Sequence, residues 1–325
     1  MRKLLAGIEI LRGCHLMNNK LMKTLKQDMQ RNYSLYILIV PVIVYFILFH
    51  YKPMYGALIA FKHFSPGRGF QGSPWAQDYF GFEHFVRFFR DPHFFRIVKN
   101  TFLISFYQLL WGFPAPIILA LLLNEVRHSI FKRTIQTVTY LPHFISIIVI
   151  AGMVTDFSLS TGLFNDMIEF FGGRRFPLLQ QPSLYRTIYV SSGIWQSVGW
   201  STIIYLSALS AIDPQLYEAA MIDGANKWKQ LWNVTLPSIA PTIIILLILR
   251  IGGLLSEGYE KTLLLYNPAT YEVADIISTY VYRVGLLEQN WSYSTAIGLF
   301  NSVINFSLLI ITNNISRRVS ETSLW

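Results

Sequence analysis

Stretches free of charge recur along the chain. No Asp, Glu, Lys or Arg occurs within 32–51, 100–124, 134–155, 187–212, 230–249 or 289–316. A helix needs about 20 apolar residues to cross a bilayer, and all six windows are long enough. The fifth opens on polar residues, which shifts its span to about 238–257 and puts Arg250 inside it. Only helices and closed barrels satisfy the backbone in lipid. Barrel strands alternate in polarity, and the run from Ile243 to Leu249 does not. The pattern therefore predicts an all-α polytopic membrane protein with six transmembrane helices.

Composition agrees. Of 325 residues, 53% are hydrophobic and 14% charged, against about 25% charged in soluble domains. There is too little polar surface to cover so large a soluble core. Such an apolar chain is not disordered, and the lone Cys14 closes no internal disulfide.

Six spans put both termini on one side. With the termini inside, segments 1–33, 124–136, 209–237 and 313–325 hold 14 Lys and Arg against 7 Asp and Glu, and the outer segments hold 12 and 11. That bias is weak, because the outer stretch 52–99 is long and long loops obey the positive-inside rule poorly. The start of the chain faintly resembles a lipoprotein signal ending at Cys14, but Glu9 breaks its apolar run. Residues 1–33 therefore read as a basic cytoplasmic tail, 34–312 as the membrane domain and 313–325 as a second cytoplasmic tail. The Phe spacing through 82–95 predicts one or two short helices at the membrane interface.

Several chemistries have no support. No Gly-Lys-Ser/Thr phosphate loop occurs. Gly67–Gly72 fits a dinucleotide fingerprint by letter but follows no strand, so it reads as an outer loop. The seven His residues lack metal-ligand spacing, and no nucleophile elbow is present. The chain reads as a non-enzyme that binds no cofactor or metal. Its net charge of +9 follows from loops spread over both faces, so nucleic acid is not an expected partner.

The inner loop 213–237 is the most informative segment. Asp213 can cap a helix whose first turn accepts Pro214. Leu216, Ala219, Ala220 and Met221 then fall near one face. Asp223-Gly224 ends or bends that helix, and a second piece bearing Trp228 and Trp232 leads to Leu236-Pro237. The product is a short stiff element across the inner face, with Glu218 as a fixed negative charge.

Glu218-Ala219-Ala220, Gly224 and the closing Val234, Leu236 and Pro237 resemble the EAA loop of ABC-importer permeases. Tyr140-Leu141-Pro142-His143-Phe144-Ile145-Ser146, Gly258-Tyr259-Glu260-Lys261 and Glu272–Arg283 are similar to the polysaccharide and oligosaccharide permease subgroup. Within it, the chain resembles the permeases of alginate importers. The likeness covers roughly 34–312.

That resemblance implies the type I ABC-importer permease fold in a bacterial cytoplasmic membrane. It implies four kinds of partner: a second permease, two ATPases carrying ATP and Mg, an extracytoplasmic solute-binding protein and an oligosaccharide. Glu218, Ala219, Ala220, Asp223 and Gly224 would lie where the coupling helix docks on an ATPase.

Other candidates keep two readings each. Arg250, near mid-membrane, either holds a carboxylate of an acidic sugar such as a uronate or pairs structurally. Trp195, Trp200 and Tyr205 either stack on sugar rings or pack the bundle. Glu257, Glu260 and Lys261 either serve an outer gate or binding-protein contact or are solvated charge. Pro114 and Pro116 are expected to kink the second span. An ion-coupled secondary transporter would need broken helices in matched halves and buried acids. An intramembrane enzyme would need paired acids or a metal cluster within the spans. The windows supply neither set.

Overall fold

Prolines and glycines punctuate the helices that the apolar windows predict. A computed structural model describes residues 28, 30–256, 258–320 and 323–324. Most of the basic tail and Glu257 lie outside the described residues. The chain divides into two units, Met1–Leu58 and Ile59–Trp325.

The first unit holds α1 (Tyr33–Phe46), which contains Pro41 and runs on through a wide turn at Ile47–Tyr51. None of its residues is buried.

The second unit is a helical bundle. In order come α2 (Glu83–Phe89), α3 (Phe94–Tyr107), α4 (Pro114–Glu125), α5 (Ser129–Tyr140), α6 (Ile147–Ser158) and α7 (Leu163–Phe170). Then follow α8 (Pro182–Ser210), α9 (Pro214–Ile222), α10 (Lys227–Gln230), α11 (Leu236–Gly252), α12 (Tyr259–Leu265), α13 (Ile277–Tyr282) and α14 (Trp291–Ser320). Among the described residues the sheet content is one isolated bridge, Lys62 to Trp75.

Among the described residues, five helical stretches are long and apolar enough to cross a membrane: Tyr33–Phe61, Phe94–Glu125, Ile147–Phe170, Lys227–Gly252 and Trp291–Arg318. The window 187–212 coincides with α8, which has 29 residues and is also long enough. Ser191, Ser192, Gln196, Ser197 and Ser201 dilute its hydropathy. The window 134–155 differs from the expectation of one helix. The chain breaks at Leu141–Ser146, where Pro142 opens a tight turn and Ser146 caps α6 by accepting from the Val149 amide. The third apolar stretch thus starts at Ile147 and takes in Asp156, Asp166 and Glu169.

The expected proline kink in the second span appears as a wide turn at Gln108–Gly112, after which Pro114 starts α4. A proline lacks the N–H for the preceding carbonyl, and the helix relaxes by widening one turn. The fifth span stops earlier than expected, at Gly252. Asn301 and Asn305 of α14 take over there: the Leu255 amide donates to Asn305 Oδ1 at 3.0 Å, and Asn301 Nδ2 donates to the Leu255 carbonyl at 3.1 Å.

Helices in lipid associate by close packing and polar contacts rather than by a hydrophobic drive. A Cβ on Gly199 of α8 would sit 2.1 Å from the Thr139 carbonyl oxygen of α5. Asp275, almost fully buried, accepts from Thr279 at 2.8 Å and pairs with Arg283 at 2.7 Å and Arg96 at 3.8 Å. Asn100 donates to the carbonyls of Glu272 and Asp275, and itself accepts from Arg186 at 2.8 Å. These bonds tie α3, α8 and the approach to α13 together. Of the Phe residues expected at the interface, Phe82, Phe89 and Phe95 are exposed, whereas Phe88 is buried against Tyr293 and Phe300.

Candidate functional site

The segment after α8 folds as its residues dictate. Asp213 Oδ1 accepts from the Gln215 amide at 2.9 Å, and Pro214 fills the first helical position. Gly224 takes φ +74°, a left-handed value that most side chains resist. It thereby ends α9, with the Ala225 amide reaching the Ala220 carbonyl at 2.8 Å. Asn226 then caps α10 by accepting from Lys229 at 2.9 Å. A wide turn at Leu231–Thr235 delivers the chain to Leu236-Pro237.

Three contacts brace the segment. Tyr217 and Thr235 share a hydroxyl hydrogen bond at 3.0 Å, Gln230 donates to the Ala225 carbonyl at 2.9 Å, and Lys227 pairs with Glu125 of α4 at 3.2 Å. No residue of α9 is buried. Glu218, Ala219, Asp223 and Gly224 are exposed and Ala220 is half-buried. Leu216, Met221, Ile222, Trp228 and Trp232 are also exposed, Ile222 at 87%. These exposed apolar side chains lie together on a projection braced by the three contacts above.

A second feature lies between α8 and the wide turn before α4. A cavity of about 420 Å³ is lined by Gln108, Gln196, Ser197, Trp200, Tyr205, Arg250 and Lys261, among others. The structure thus brings together Arg250, Trp200, Tyr205 and Lys261. It does not bring Trp195, which lines a different cavity with Phe157 and Phe164, nor Glu260, which is exposed. One face of Trp200 is covered by the His143 ring, with centroids 4.7 Å apart.

Lys261 departs from the solvated reading. It is 7% exposed, and Nζ donates to the Tyr189 carbonyl at 2.7 Å. Burial pushes its ammonium down to about 7. Gly193 leaves room for it, since a Cβ there would lie 3.1 Å from Nζ. Gly258, at φ +93°, sets up this approach from the start of α12, and its carbonyl accepts from the Tyr189 hydroxyl at 3.2 Å. No Asp or Glu is among the described lining residues. The amides and serines of the lining lacked any sequence signal, because they sit inside charge-free windows without a motif. Among the described residues, no group of three His, Cys, Asp or Glu could hold a metal ion.

Comparison with known proteins follows the same lines. Residues 112–321 match the family model described as binding-protein-dependent transport system inner membrane component. The chain is 44% identical over 298 residues to the protein LplB of Bacillus subtilis strain 168, covering 91% of this chain and 92% of that protein. It is also 44% identical over 292 residues to a polygalacturonan/rhamnogalacturonan transport system permease, YteP, of the same organism, covering 90% of each. Among solved structures, one similar chain belongs to a bacterial alginate ABC transporter in complex with an alginate pentasaccharide-bound periplasmic protein. It has a TM-score of 0.83 and 43% identity, covering 92% of this chain and 99% of that one.

Proposed function

Because the chain belongs to the family of binding-protein-dependent transport system inner membrane components, as a non-enzymatic permease of sugar ABC importers, we propose that its cargo is an acidic oligosaccharide of the uronate class. Family membership sets the ion-coupled alternative aside.

The observation that carries this reading is the pair Arg250 and Lys261 on one cavity, among amides, hydroxyls and aromatic rings. A guanidinium meets a carboxylate at two points. A buried ammonium regains its favourable charged state when a carboxylate arrives. Trp200 and Tyr205 offer apolar surface to sugar C–H faces, and Gln108, Gln196 and Ser197 offer hydrogen bonds to hydroxyls. The similarity to transporters of alginate and of polygalacturonan supports the same class.

In the assembly, a second permease completes the pathway and an extracytoplasmic binding protein delivers cargo. Two ATPase subunits, which carry ATP and Mg, sit on the cytoplasmic face. Both termini of this chain lie in the cytoplasm of a bacterial cell. The projection around Glu218-Ala219-Ala220 docks on one ATPase through its exposed apolar face. Closure of the ATPases pushes this brace, and α8 and α11, which flank it, move with it. One such segment per chain requires the second permease to supply the other.

The test uses the whole transporter, reconstituted in liposomes with its partner subunits. A uronate trisaccharide should be taken up with ATP, and its carboxyl-reduced analogue should not. Equal uptake of the two rejects the acidic cargo. No response to ATP rejects the coupling.

A further inference from the structure

A second cavity, of about 660 Å³, opens toward the end of α8 that lies away from the 213–237 segment. Tyr107, Trp111, Ser183, Arg186 and Thr187 line it, with Val273. It shares Val190 and Ile194 with the cavity that holds Arg250 and Lys261. Tyr107 and Trp111 sit beside Gln108 and Gly112, which line that other cavity. The two cavities therefore adjoin along α8.

Arg186 is the charged group of this compartment. Its Nη2 donates to Asn100 Oδ1 at 2.8 Å, and Asn100 is itself fixed by donating to two backbone carbonyls. The guanidinium is thus held in place by a neutral partner. Its Nε is buried without a hydrogen-bond partner among the described residues, and no Asp or Glu is among the described lining residues. Nε is sealed from a ligand, so an incoming carboxylate would meet the part of the guanidinium that lines the cavity, where no described acid neutralises it. Trp111, 62% exposed, and Tyr107 present ring surface beside it. The helical rise puts Arg186 about 10 Å along α8 from Gly193, where Lys261 reaches in.

We propose that this outer compartment is a separate subsite for one uronate unit of the cargo, with its carboxylate on Arg186 and its ring against Trp111 or Tyr107. It rests on the acidic-cargo reading above. Arg186 meets the sugar first and hands it to Lys261 and Arg250, so a chain with charges on several units is favoured over a single acid.

The test compares wild type, R186Q, R186K and W111L in the complete reconstituted transporter. The probes are a uronate trisaccharide and, for basal response, ATP alone. Gln keeps a donor for Asn100, so R186Q should assemble with its partners, and size-exclusion of the assembly checks this. R186Q should raise the uronate concentration for half-maximal uptake about fivefold or more, and R186K should restore part of it. W111L should raise it too, while a uronate monosaccharide shows a much smaller loss in either variant. The proposal is overturned if R186Q leaves half-saturation unchanged, or if it lowers only the maximal rate, as a packing role would. Failure of wild type to take up any uronate rejects the acidic cargo itself, a different result from a wild type that takes it up without needing Arg186.

Discussion

The Lys261 ammonium donates to the Tyr189 carbonyl at 2.7 Å and stands 4.7 Å from the centroid of the same residue's ring. A carbonyl and a ring face are the weaker partners of a cation, because neither carries a full charge. Burial accordingly wins and the ammonium is pushed down to about 7. A lowered lysine value means that the charge is present below that pH and lost above it. Uptake of an acidic oligosaccharide should therefore weaken as pH rises from about 6 to about 8. K261R, which keeps its charge throughout, should flatten that slope. An identical profile in the two proteins would count against a role for this charge.

Glu218 is exposed on a projection without a buried residue. E218K reverses a charge without touching the bundle. It should cut cargo-stimulated ATP hydrolysis by about tenfold or more and reduce recovery of the ATPase subunits on purification, as loss of an interfacial charge pair does. The melting temperature of the isolated permease should not move. Unchanged hydrolysis in the assembled variant would show that this face is not the docking surface.

The brace behind that projection is testable on its own. Y217F and T235V each remove one side of the 3.0 Å hydroxyl pair, at a cost of about 1 kcal/mol. T235V also removes the Thr235 donation to the Gln230 carbonyl at 3.3 Å, so the double variant should cost little more than T235V alone. Additive losses in thermal denaturation would mean that the hydroxyls act separately.

Much of this segment was legible before the fold was known. Asp213-Pro214, the Glu-Ala-Ala run and Gly224 each carry a local backbone demand, and local demands survive any packing. The apolar windows were legible for the same reason, since lipid imposes length and polarity on each span separately. The break at Leu141–Ser146 was harder to read. Pro142 and Ser146 lie within a charge-free window, and absence of charge reports the medium, not the backbone. The cavity was half legible. Arg250 announced itself as a charge in a span, but Lys261 looked like a residue beyond a span's end. The end of α11 at Gly252 and the left-handed Gly258 at the start of α12 precede its approach to Tyr189. Trp195 and Trp200 are five residues apart on α8, which separates them around the helix, and the structure puts them in different cavities.

Asp91 offers an acid-side test. Its carboxylate accepts from the hydroxyls of Tyr280 and Tyr293, both at 2.6 Å, and from the His93 amide at 2.8 Å. Burial works to raise its carboxyl, but these donors outweigh it and hold the group below its ordinary value. The resulting stability is present above the ordinary aspartate range and is lost as pH falls through the lowered value. D91N should destabilise the permease at neutral pH by about 1–3 kcal/mol and make its melting temperature less sensitive to acid below about 4. An acid response equal to wild type would mean that other carboxylates set it.

The bare backbone contact of Gly199 on Thr139 has a further implication. Two rods that touch without side chains between them have no cushion to slide on. They can only swing together, as one plank, whatever drives the cycle. The pivot must then lie where the plank ends, in the kinked stretch from Leu141 to Ser146, and even an alanine at 199 would wedge the plank apart before it altered any surface a cargo touches.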